Sequence, residues 1–209
     1  MKKRSPKLPR ERYAKLKRSL SPKLRVVGRR VYLRPLTRAD ATPRYAAWLN
    51  DPEVNRFTES KYTRHTVATV RDYIESANRS ASNFFFAIVE RGTDRHVGNI
   101  KIDSTVNPHW DHLVGEVGLI IGEKDCWGRG YGSEAIELIT RFAFDRLDLH
   151  KLTATCLAIN PGSAHAFLKA GYTQEAVRPS NGVFEGKYVD LLLFGVINPK
   201  HLKTKRRHA

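Results

Sequence analysis

The sequence predicts a single α/β domain built on a mixed sheet. Three observations carry this. Segments with strand alternation or short apolar runs interleave with segments of helical period. Their order is strand, two helices, three strands, helix, strand, helix, two strands, which is no series of regular βαβ units. The charge is also unevenly placed. The 209 residues carry a formal net charge of +16. Residues 1–30 hold 13 Lys/Arg against Glu11 alone, and residues 200–209 hold five Lys/Arg and no acid. That leaves 19 basic and 20 acidic residues over 31–199, a near-neutral body between basic flanks. With 41% hydrophobic residues, the length suits one core plus tails. The boundaries read as a flexible basic arm over 1–28, a body over 29–198 and a basic tail over 199–209.

Each element follows from its pattern. "RVVGRRVYLRPL" is a strand, with Val31 and Leu33 alternating against Tyr32 and Arg34. "TRADATPRYAAWLND" is a helix with Thr37 as N-cap and Asp40 three residues on. "HTVATVRDYIESANRS" is a second, with Val67, Val70, Tyr73 and Ile74 on one side. "NFFFAIVER" and "HVGNIKIDST" flank "GTD" as a hairpin. "LVGEVGLIIG" is apolar enough to be a strand buried on both faces. The next helix carries Ala135, Ile136, Ile139, Phe142, Ala143 and Leu147 as a stripe. "KLTATCLAI" is a buried strand, and "PGSAHAFLKAG" a short helix stopped by Gly171. "GYTQEAVRPS" and "KYVDLLLFGVI" close the body as strands.

The segment that calls for a chemical explanation is "CWGRGYGSEA", where Gly128, Gly130 and Gly132 precede a helix at once. A helix N-terminus leaves amides unpaired and partly positive, and glycines let a phosphate approach the backbone. The same run also suits a tight structural turn. A Walker loop is excluded because no Gly-Lys-Ser/Thr follows. The dinucleotide fingerprint lacks its third glycine, since Ser133 stands there. His109, Asp111 and His112 in "NPHWDH" sit close enough to hold a metal or to form a solvated loop, and no other metal motif is present. Cys126 and Cys156 form no CxxC pair, which points to a reducing, cytoplasmic setting. At the helix mouth, Cys126 is placed to have a lowered pKa. No apolar run is long enough to span a membrane, and the N-terminus lacks the apolar core of a signal peptide.

"CWGRGYGSEAIELITRFAF", "LHKLTATCLAINPGSAHAFLKAGY" and "GKYVDLLLFGVI", taken in this order, resemble the GCN5-related N-acetyltransferase (GNAT) superfamily, in its RimJ/RimL-like branch. The resemblance spans about residues 29–198. Trp127 departs from the family's usual Gln or Arg at the head of the loop. The resemblance implies a mostly antiparallel central sheet flanked by helices, with a splayed strand pair holding acetyl-CoA. It implies that Trp127, Gly128, Arg129, Gly130, Tyr131, Gly132 and Ser133 bind the pyrophosphate. Val117, Leu119 and Ile121 would then pair with the pantetheine arm, and Asn160 and Ser163 would contact the donor from the other side. No metal is expected.

The implied acceptor is a primary amine, which must lose a proton to attack. Glu116 is the candidate base, or else a strand-end carboxylate in a surface ion pair. The family's usual tyrosine acid is here Phe167, so Ser163 is the substitute acid, or else a helix-cap hydroxyl. Glu59, Lys61 and Arg64 in "NRFTESKYTRHT" form the candidate acceptor loop, or a charged surface loop. Tyr188 and Asp190 in "NGVFEGKYVD" line the acceptor end of the pocket, or cap a strand. The leading function is N-acetylation of a small amine, such as a nucleotide-linked amino sugar. The alternatives are N-terminal acetylation of a ribosomal or other protein, and a coenzyme A-binding module without turnover. Expected partners are the amine, a second copy in a homodimer, and RNA or another polyanion on the basic tails.

Overall fold

The computed structural model describes Lys15, Lys17 and residues 20–103 and 113–202. Among these residues, eight strands form: β1 (Val26–Val27), β2 (Val31–Pro35), β3 (Asn83–Glu90), β4 (His96–Asp103), β5 (Val114–Ile121), β6 (Lys151–Leu157), β7 (Thr173–Phe184) and β8 (Lys187–Ile197). They form one sheet in the order β1-β2-β3-β4-β5-β6-β8-β7, antiparallel throughout except for the β5–β6 pair. The helices are α1 (Pro43–Asn50), α2 (Pro52–Asn55), α3 (Val67–Arg79), α4 (Tyr131–Phe142), α5 (Pro161–Lys169) and α6 (Pro199–Leu202).

"NFFFAIVE" shows how the layers arise. A strand sends successive side chains to opposite faces. Phe84, Phe86 and Ile88 join the core beneath α4 and α5, with Ile136, Ile139, Phe142 and Phe167. Phe85, Ala87 and Val89 join a second core beneath α1 and α3, with Tyr45, Trp48, Val70 and Ile74. Every residue of β3 is therefore buried, and its apolar run reads without alternation.

The first expected helix starts later than its sequence pattern suggested. Thr37 and Asp40 do form a reciprocal cap, but on a single 3-10 turn at Arg38–Asp40. Pro43 starts α1 instead, with Thr42 as N-cap accepting from the Tyr45 amide. Proline suits the first helical position and disfavours helical backbone in the residue before it. The stripe on α4 is buried as expected, and its last residues continue into a π-helical turn at Ala143–Leu147. Gly171 follows α5 with φ +86°. The final hairpin turns through Glu185 and Gly186, both with positive φ, as a two-residue loop requires.

Lys17 and the N-terminal residues from Leu20 onward pack on the body. The Lys17 ammonium donates to the carbonyls of Ala77 and Ser80, both at 2.5 Å, and to that of Asn83. Two of these lie at the C-terminal end of α3, where a cation is favoured. Leu20, Leu24 and Val26 then rest on the main core. The rest of the basic arm, most of the tail and "NPHWDH" lie outside the described residues. Among those described, α6 is tied down by Lys200 to Asp145 at 2.8 Å and His201 to Asp148 at 3.1 Å.

Candidate active site

Three features of the chain make up the candidate site. The first is the parting of β5 from β6. They pair over three positions only: Val114 with Lys151, Gly115 with Leu152 and Glu116 with Thr153. β6 goes on to pair with β8 as far as Leu157, while β5 continues along β4 to Ile121. Among the described residues, the edge of β5 from Val117 to Ile121 that would face β6 therefore has no strand against it. This corrects the expectation of a strand buried on both faces. Val117 is buried, but Leu119, Ile120 and Ile121 are only half-buried and Glu116 is exposed. An apolar run at an opened edge has the same composition as one in a core.

The second feature is the mouth of α4. Gly130 is its N-cap in the left-handed region, at φ +79°, and Gly128 stands at φ +70°. Gly130 has no side chain to cap the amides of Tyr131, Gly132 and Ser133, which cannot be satisfied within the helix. A Cβ on Gly128 would meet nothing within 4 Å, and one on Gly132 would only touch Leu119 at 3.6 Å and Ile121 at 3.9 Å. The loop is therefore open to solvent and lies against the free part of β5. Trp127 heads it, with its indole donating to the Ile121 carbonyl at 2.9 Å. Arg129 stacks over Tyr131 at 5.1 Å and lies 3.9 Å from Glu90. The Tyr131 hydroxyl donates to Glu90 at 2.5 Å, and this bond holds the Glu90 carboxyl below its ordinary range. Cys126 is buried in the main core, and burial pushes its thiol pKa up, against the expectation from its position.

The third feature is the start of α5. Asn160 is its N-cap and accepts from the Ser163 amide at 3.1 Å, with Pro161 at the first helical position. Ser163 is half-buried, and its hydroxyl lies beside the thiol of Cys156. Phe167 is 1% exposed, stacked on Phe194 at 5.8 Å and edge-on to Tyr172 at 5.2 Å. It belongs to the core.

On the opposite face of the sheet, Glu116 is flanked in register by Asp103 on β4 and Thr153 on β6. Cross-strand neighbours share a face, so two carboxylates meet at the point where the strands part. Asp103 was missed in the sequence because the pairing depends on hairpin register. Lys101, one pleat along, donates to the Tyr73 hydroxyl at 3.2 Å. At the far end of β7, opposite Lys187 of β8, Phe184 meets Phe57 at 5.4 Å and lies under the Lys61 ammonium, also at 5.4 Å, while Arg56 covers Phe57 at 4.3 Å. The loop carrying Glu59, Lys61 and Arg64 is tied at its ends. Asn50 holds both backbone groups of His65, and the Asn55 side chain donates to Leu49. Tyr188 and Asp190 do not join this cluster. They alternate with Lys187 and Val189 and so share the face of Leu192 and Phe194, beneath α5. Tyr188 is 77% exposed, and Asp190 accepts the Ser180 amide at 2.8 Å. Among the described residues, no group of three or more His, Cys, Asp or Glu is placed to hold a metal, and no helix is long and apolar enough to cross a membrane.

Fold and site together define a class: a mixed α/β domain with uncapped amides at a helix mouth beside a parted strand pair. Comparison with known proteins gives the family. The family model for the acetyltransferase (GNAT) domain matches residues 30–173, and the chain belongs to that family. It is 25% identical over 180 residues to the probable N-acetyltransferase YjcK of Bacillus subtilis (strain 168), covering 82% of this chain and 96% of the relative. It is 26% identical over 161 residues to human alpha/beta-tubulin-N-acetyltransferase 9, covering 72% and 76%. Among solved structures, spermidine N-acetyltransferase from Vibrio cholerae, in complex with CoA and spermine, superposes with a TM-score of 0.71 at 18% identity, covering 83% of this chain and 98% of that one. The protein is an acetyl-CoA-dependent N-acetyltransferase.

Proposed function

We propose that the acceptor is a small primary amine whose remainder is extended and anionic, as in a nucleotide-linked amino sugar. The observation that carries this is the polarity of the open sheet face. Carboxylates (Glu116 and Asp103) stand where β5 and β6 part, and cations over aromatic rings (Arg56, Lys61, Phe57, Phe184) stand at the far end. The two ends lie eight residues apart along β8, from Gly195 beside Thr153 to Lys187 beside Phe184. At strand rise this is roughly 26 Å. An ammonium suits the first end, and phosphate with a stacking base suits the second.

The residues present fit the donor. The unpaired amides of Tyr131, Gly132 and Ser133 suit a pyrophosphate, and the free edge of β5 suits an extended amide-bearing arm. Bound acetyl-CoA supplies the thioester carbonyl that the amine attacks. In this reading Glu116 takes the ammonium proton, directly or through water, so that the neutral amine can attack. Backbone donors of Val117 to Ile121 stabilise the oxyanion. Phe167 cannot serve as acid, and Ser163, at the head of α5, is the hydroxyl that can protonate the leaving thiolate. A protein N-terminus is the second reading, supported by the human relative, whose name gives tubulin as acceptor. Coenzyme A release from acetyl-CoA, measured against amino sugar nucleotides, polyamines and N-terminal peptides, tests both. Turnover is expected with the nucleotides. Turnover confined to peptides or polyamines would overturn the first reading.

A further inference from the structure

We infer that Arg30 is a donor-binding residue, contributed from outside the glycine loop by the turn between β1 and β2, and that it grips the pyrophosphate of acetyl-CoA. This rests on the reading of the α4 mouth as the donor site. A Cβ on Gly130 would lie 3.7 Å from Arg30 Nη1, so the guanidinium stands directly beside the N-cap of α4. The carboxylate of Glu134, one turn into that helix, explains the placement. Its side chain is only 10% exposed, and it accepts the Arg30 amide at 2.8 Å and the Val31 amide at 3.4 Å. It thereby clamps the β1–β2 turn to the helix, and it holds Arg30 Nη1 at 3.4 Å. Gly28 completes the fit, since a Cβ there would fall 2.3 Å from Glu134 Oε1.

The charges around the loop single out Arg30. Arg95 is spent on Glu90, Glu123 and Asp125. Arg129 shares Glu90 and lies over Tyr131. The one carboxylate partner of Arg30 among the described residues is Glu134, whose oxygen Oε1 already serves two backbone amides. A guanidinium has five N–H donors in a fork that fits phosphate oxygens. The side chain of Arg30 is 41% exposed, which leaves most of those donors available beside the amides of α4. Glu134 is the positioning residue, and Arg30 the ligand-binding one.

Calorimetry on the full chain with acetyl-CoA and with 3′-dephospho-acetyl-CoA tests this. Arg30→Met is expected to weaken both ligands about tenfold, which corresponds to loss of one charge-assisted contact of about 1.4 kcal/mol. Arg30→Lys is expected to recover part of the loss. Affinity within twofold of wild type would overturn the inference. A loss confined to the ligand carrying the 3′-phosphate would overturn the pyrophosphate assignment. If Arg30→Met lowers the ligand-free melting temperature, Arg30→Lys is compared with Arg30→Gln. Tighter binding by Lys is expected, and equal binding overturns the proposal. A wild-type chain that binds neither ligand removes the donor-site reading as well. Binding by wild type with no effect at Arg30 removes this inference alone.

Discussion

The two faces of the sheet are built differently. Beneath α4 and α5 the core is almost wholly apolar, and the glycine loop is an extension of it through Tyr131, Cys126 and Val117. Beneath α1 and α3 the core is smaller and shares its space with a polar network. Arg34 binds both oxygens of Asp40 at 2.8 and 2.6 Å, His96 bonds Asn99 at 2.9 Å, and Trp48 bonds Glu123 at 2.9 Å. Burial pushes the His96 pKa below its ordinary value. The first face offers backbone groups fixed by packing, which suits a ligand common to a whole family. The second offers side chains on loops and a hairpin tip, which can change without disturbing a core. On the proposed reading, the donor site is a property of the fold, and the acceptor site a property of this sequence.

The largest test of that contrast is Gly132→Asp. An acid in the first turn of a helix is favoured by the dipole, and a Cβ at Gly132 makes only ordinary contacts. Melting temperature is expected to hold or rise, while acetyl-CoA affinity falls at least about 100-fold by charge repulsion and blocked amides. Retained binding would break the donor assignment. Gly130 is a poorer probe, because its φ of +79° penalises any side chain before a ligand is considered.

Glu116→Gln is expected to lower kcat by about 100-fold, the range of a general base, with acetyl-CoA affinity unchanged. An unchanged kcat would move the role to Asp103 or to water. Asp40→Asn probes the polar network. Burial would raise the Asp40 carboxyl pKa, but Arg34 and Thr37 hold it below its ordinary value. Its stabilising contribution is then present above the unfolded pKa, near 4, and lost as pH falls through the folded one. The variant is expected to lose about 2 kcal/mol at pH 7. The gap to wild type, read by denaturant unfolding, is expected to narrow below about pH 4. A gap independent of pH would show that the pair contributes through packing alone. The smallest effect is expected from Phe184→Ala, since an aromatic pair is worth about 1 kcal/mol. Acceptor KM is expected to rise about fivefold with donor affinity untouched. A change in donor affinity would blur the separation of the two faces.

How much of this was legible in the sequence depends on the range of the interactions. The stripe on α4 and the Gly171 stop are local, and each was readable from spacing. The glycine loop was readable as a phosphate-type mouth, but not its neighbour Arg30, which lies 100 residues away in the chain. Tyr188 and Asp190 read as lining the acceptor end of the pocket or as capping a strand. Strand alternation puts them on the other face, and that parity is fixed only once Leu192 and Phe194 are seen to enter the core. Lys17 read as one more solvated charge in a basic arm. Nothing in composition announces a lysine whose partners are three backbone carbonyls.

That lysine bears on the order in which the chain assembles. Lys17 leaves the ribosome 60 residues before Ala77 and 66 before Asn83. It has no acceptors until α3 has ended and β3 has begun, so the arm must wait, charged and unplaced, while the elements it will fasten are still being made. The first part of the body to be synthesised therefore settles only after the α3–β3 junction that receives it has been made.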